Sequence, residues 1–155
     1  MLSTLKSPGM KDLILKLSPL FFLVLIITSC KKETKRDNGG DSIHGVWELR
    51  KIKGGWSNNT YQPGNGNSIS FIGNKYEIKQ NGQVTQSGEF ILVTDFTVSE
   101  ATCLNIAAGQ YTDRIIFDNT NNTTKVFFEL SDNELILLSG CFAYDAGSYR
   151  HYERQ

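Results

Sequence analysis

The sequence predicts an all-β fold, a small up-and-down antiparallel β-barrel of about eight to nine strands, and three observations carry that expectation. Short apolar–polar alternations recur through residues 42–155, the period-two pattern of half-buried strands. Turn residues separate them at close spacing. Asn81-Gly82 is the clearest turn, since both central positions of such a hairpin need φ > 0. No amphipathic helical pattern persists for ten residues. Tight sequential connections favour a meander over a Greek key, and closing the meander removes exposed sheet edges.

Taken in order, the expected strands are residues 46–53, 68–72, 75–79, 83–93, 96–99, 114–117, 125–130, 134–140 and 149–154. The third alternates cleanly, with Tyr76 and Ile78 on one face and charges on the other. Gly88 marks an expected bulge or bend in the fourth. Val126, Phe128 and Leu130 share a face of the seventh, while Leu135-Ile136-Leu137-Leu138 is apolar on both faces. The inward side chains expected from this alternation are bulky: Tyr76, Ile78, Phe90, Phe117 and Phe128. Two long connections stand out. Residues 54–67 carry Trp56 and Tyr61 among Gly, Asn and Pro. This is the expected ligand or partner loop, because aromatics on a polar loop can stack on a ligand or anchor a partner. The competing reading is that both rings fold down over the barrel mouth. Residues 99–112 are expected to form one helical turn over an end of the barrel.

The chain's first 41 residues have a different character. Lys11 and Lys16 precede an unbroken apolar run from Leu20 to Ile27. The run is too short for a bilayer span, which needs ~20 residues, and suits a signal peptide whose true start is Met10. Ile27-Thr28-Ser29-Cys30 resembles the bacterial lipobox. The resemblance implies a signal peptide over residues 1–29, cleaved before a Cys30 that carries diacylglycerol. Several acyl chains make a firm anchor, at ~0.8 kcal/mol per buried CH₂. An ordinary cleaved signal leaving a free Cys30 thiol is the competing reading, but no A-x-A-like site follows the run. Residues 30–41 contain no apolar residue after Cys30 and carry both signs of charge, as a flexible tether would. Lys31 is not the aspartate of the inner-membrane retention signal, so an outer-membrane location is expected. Asp41-Ser42-Ile43 resembles a short O-glycosylation acceptor pattern.

Residues 42–155 form one domain by length. They hold nine Lys or Arg against twelve Asp or Glu, a net charge of −3, with no basic patch of the kind nucleic-acid binding needs. With Cys30 lipidated, Cys103 and Cys141 remain as an even pair in an oxidising compartment. A bridge between them is expected, two buried thiols being the alternative.

Gly45-Val46-Trp47 in the first strand resembles the lipocalin G-x-W motif, and Tyr152-Glu153-Arg154 in the last resembles that family's C-terminal arginine. The resemblance implies that Gly45 permits the bend into the barrel. Trp47 would plug the closed base and Arg154 would stack on its ring; Arg150, on the same face, is the other candidate. The wider layout is similar to small lipocalin-like domains of Gram-negative lipoproteins, through Asn74-Lys75-Tyr76, the Asn81-Gly82 hairpin and Glu134-Leu135-Ile136-Leu137. The domain is shorter than a typical lipocalin, and no long helix precedes the last strand.

Catalytic signatures are missing from this reading. His44 and His151 lack metal-ligand spacing to any cysteine or carboxylate, and no nucleophile elbow, zinc-protease or P-loop pattern occurs. No catalytic residue, metal or cofactor is expected. The expected function is a non-catalytic, membrane-anchored, lipocalin-like monomer that binds a small apolar ligand or envelope component. A side-chain-filled barrel that binds another envelope protein is the alternative.

Overall fold

The computed structural model describes residues 42–55, 57–120 and 124–155. The readings placed on residues 1–41, Cys30 among them, and on Trp56 lie outside the described residues. Among those described, nine antiparallel strands form one sheet: β1 (Gly45–Gly54), β2 (Ser57–Thr60), β3 (Ser68–Ile72), β4 (Lys75–Gln80), β5 (Gln83–Thr94), β6 (Asp113–Phe117), β7 (Val126–Ser131), β8 (Glu134–Ser139) and β9 (Ser148–Arg154). The order is β2-β1-β3-β4-β5-β6-β7-β8-β9, and β9 pairs back onto β1. Eight strands thus close a barrel and β2 extends it as a hairpin on β1. No described helix is long and apolar enough to cross a membrane.

The alternation places the core as the sequence implied. Trp47, Ile69, Phe71 and Leu135 are buried, and Ile78, Phe117 and Phe128 pack against the same interior cluster. Antiparallel strands alternate in direction, so β3, β5, β7 and β9 all finish where β1 begins. That end, the base, gathers residues 42–44, the β3–β4 and β7–β8 turns and the C-terminus. The opposite end is the mouth.

Four expectations change. Residues 96–99 are not a strand. The Asp95 carboxylate accepts both the backbone N–H and the hydroxyl of Thr97, at 2.9 and 2.7 Å, a local bond that turns the chain away from the sheet into helix α1 (Val98–Thr102). Residues 54–67 are not one long loop, because Ser57–Thr60 pairs with β1 from Gly54↔Ser57 to Lys51↔Thr60. The bulge in β5 falls where Ile78↔Gln86 gives way to Lys79↔Val84, not at Gly88. Instead Gly88 makes room: a Cβ there would come within 1.8 Å of the Asp118 carboxylate. Finally, α1 lies on the barrel's outer wall, not over an end. Val98 packs with Phe127 of β7 and Leu138 of β8, whose neighbours Phe128 and Leu137 face inward. This second cluster explains why β8 is apolar on both faces.

Candidate functional site

Residues from both ends of the domain meet at the base. Trp47 is fully buried, its indole N–H donating to the Ile43 carbonyl at 2.7 Å. The Arg154 guanidinium lies 4.2 Å from the indole centroid, within cation–π range. It donates to the carbonyls of His44 and Ser42 at 2.9 and 2.8 Å, and to that of Asp132 at 3.3 Å. One side chain thereby ties the start of the domain to its end. Gly45 has φ of +136°, and a Cβ there would press on the Arg154 guanidinium at 2.9 Å. Arg154, not Arg150, covers the tryptophan.

Arg150 sits at the other end. At the mouth, Leu49 and Ile52 of β1, Ile78 of β4, and Tyr61, Arg150 and Tyr152 line a recess of about 330 Å³, with Asn67, Lys79 and Asn81 at its rim. Tyr152 is buried. Desolvation pushes its hydroxyl above the ordinary tyrosine value, against the pull of Arg150, which hydrogen-bonds to it. A guanidinium and a buried hydroxyl over aliphatic walls suit a ligand with an apolar body and an anionic head. A larger depression, about 590 Å³, lies on the outer wall between Ile72, Lys75, Glu77 and Glu89. It is open to solvent along the twisted strands, and it takes in the buried Tyr76 but no guanidinium.

Tyr61 has folded down. Its ring packs on the interior cluster, and its backbone N–H donates to Arg50 at 2.8 Å. The segment that follows is well tied. The Asn65 amide donates to the Leu49 and Gln62 carbonyls, and its oxygen accepts from the Asn67 N–H at 2.9 Å. The Gly82 N–H donates to Gly66 at 2.8 Å. The Gly64 N–H reaches the buried Glu48 carboxylate at 2.8 Å, which also pairs with Arg50 at 2.6 Å. Burial would raise the Glu48 carboxyl, but Arg50 and the further hydrogen bonds outweigh it and hold the group low.

The loop after β5 is pinned at several points. Cys103 and Cys141 form a disulfide, Cα atoms 5.0 Å apart, as the cysteine count implied. At the start of this loop Asp95 pairs with Lys125 and Arg114, at 2.9 and 3.0 Å. Burial opposes ionisation of Asp95, yet Thr97 and Lys125 pull its carboxyl down to about 2.

No protein-family model matches the chain, and neither a curated protein nor a solved structure matches it. Its function has to be read from its own residues. Among those described, no group of three His, Cys, Asp or Glu could hold a metal ion. His44 is near Phe90 at the base, while His151 pairs with Lys51 higher on the wall, so the two do not meet.

One hydrogen-bonded group was missed by sequence reasoning. The Tyr76 hydroxyl donates to the Asp118 carboxylate at 2.7 Å and accepts from the Gln86 amide at 2.6 Å. Burial and then Asp118 push the phenol up to about 12. Its partners are 42 and 10 residues away, and only Gly88 gave a signal in the sequence. The group ties the short β6 to β4 and β5.

Proposed function

We propose that this chain is a lipocalin-like lipoprotein, anchored through Cys30 in the bacterial outer membrane, whose barrel is a non-catalytic binding module. Its ligand is small and apolar with an anionic head, and is held at the mouth. The observation that carries this reading is the recess between Tyr61, Arg150 and Tyr152, about 330 Å³. That volume is at the lower end of the range for small-molecule sites, ~300–1,000 Å³. Below the recess the interior is filled by Trp47, Phe71 and Ile69, so a ligand would be gripped near the rim rather than swallowed. The lipocalin likeness is supported by Arg154 over Trp47, and the envelope location by the lipobox-like run ending at Cys30.

Native mass spectrometry of the processed protein, exposed to a lipid extract of a Gram-negative host, tests the reading. A reproducible added mass that is lost in the Arg150→Gln variant is expected. Apo protein alone would overturn it. That outcome would favour the second reading, which the filled lower interior supports: a solid barrel whose loops bind another envelope protein.

A further inference from the structure

Exposed apolar side chains are unevenly distributed over the domain. Among the described residues seven large ones are exposed: Val46, Ile72, Val84, Ile91, Leu92, Phe96 and Tyr144. Five of them lie at the base. Val46 opens β1, Ile72 ends β3, Ile91 and Leu92 come late in β5, and Phe96 follows it directly. Phe96 and Ile72 are the most exposed of the five, at 78% and 72%. Register sets them among charged residues. Ile72 is opposite Lys75, and Lys75 is opposite Glu89, two residues from Ile91. Leu92 also borders a notch of about 400 Å³ that Ile43, Phe128 and Leu130 help to line. Ile72 and Ile91 thus flank the charged side chains of Lys75 and Glu89, and apolar side chains gathered at one end of a domain mark a contact with something else.

The chain itself indicates what that contact is. Arg154 holds the Ser42 and His44 carbonyls at the base, so Ser42, the first described residue, lies at this same end. The eleven residues from Lys31 to Asp41 reach roughly 40 Å at full extension and average roughly half that if coiled. Lys31, Lys32, Lys35 and Arg36 lie along this segment, where cations are drawn to anionic headgroups.

We propose that the base of the barrel docks on the bilayer that holds the Cys30 acyl chains, with Phe96 and Ile72 entering the interface and the mouth turned away from the membrane. The proposal rests on lipidation of Cys30. Phe96 supplies a ring on an exposed turn, the type of residue that settles at the headgroup boundary. Docking would also keep the mouth clear for a ligand arriving from the aqueous side.

The test uses the full chain, processed in a bacterial host and reconstituted in phosphatidylethanolamine–phosphatidylglycerol vesicles whose acyl chains carry bromine as a quencher. Mass spectrometry of the N-terminal peptide first reads the lipid on Cys30. Phe96→Trp and Tyr144→Trp then place a reporter at the base and near the mouth, both at exposed positions where folding is not at risk. Emission above that of the parent protein should fall and shift to the blue for Phe96→Trp, and remain unchanged for Tyr144→Trp. A lipidated chain in which neither reporter is quenched, or both are quenched equally, overturns the docking and leaves the anchor standing. A chain without lipid on Cys30 overturns both.

Discussion

The two ends of this barrel use the same residue types for opposite purposes. At the base, Trp47 is fully buried and Arg154 spends its donors on backbone carbonyls. At the mouth, Tyr61 and Arg150 border a recess instead of closing it. The aromatic and the arginine interlock at the base, whereas at the mouth they leave a recess over aliphatic walls. On the proposed reading stability belongs to one end and recognition to the other, and each half of that reading can be broken separately.

The largest effect is expected at the base. Trp47→Ala should cost ~3–5 kcal/mol, read as a lower urea midpoint with little change in m-value; an unchanged midpoint would show that the ring is not a plug. Removing the disulfide with Cys103→Ser and Cys141→Ser should cost roughly 3–4 kcal/mol, the chain-entropy value for a loop of this length. Because the bridge pins a loop on the outer wall, the far-ultraviolet spectrum of the barrel should survive. Arg154→Gln should follow at ~1–2 kcal/mol, from the lost stacking and charge-assisted bonds, while Arg150→Gln leaves the midpoint nearly where it was. Equal destabilisation by the two arginine variants would erase the distinction between the ends.

The smallest effect belongs to the loop after β5. The folded-state value of Asp95, about 2, lies below the ordinary 3.8. Its contribution to stability is thus complete above about pH 4 and is lost as the pH falls toward 2. The wild-type melting temperature should decline across that window, and Asp95→Asn should flatten the decline there. A variant with the wild-type slope would show that Asp95 does not anchor the loop.

Legibility in the sequence followed the range of the interactions. Strands with one buried face were readable from alternation, as in β4, where Tyr76 and Ile78 point inward. The Trp47–Arg154 pair was readable because a family resemblance supplied a contact that no local pattern encodes. By contrast β2, Ser57-Asn58-Asn59-Thr60, has every side chain exposed and no alternation to detect; pairing with β1 alone makes it a strand. Phe96 and Val98 looked like strand residues, but the bonds from Asp95 to Thr97 turned them aside. The recess was hidden for another reason. It combines β1, β4 and β9 with Tyr61, and only closure of the barrel brings those segments together.

The most direct test of the division between the ends is a ¹⁵N–¹H NMR titration of the processed protein with a medium-chain fatty acid. Saturable shifts at Leu49, Ile52, Tyr61, Ile78, Arg150 and Tyr152, with the Trp47 indole signal unmoved, are the predicted result. Shifts centred on Trp47 and Ile43, or none at a ligand concentration well above that of the protein, would contradict a binding mouth over a structural base.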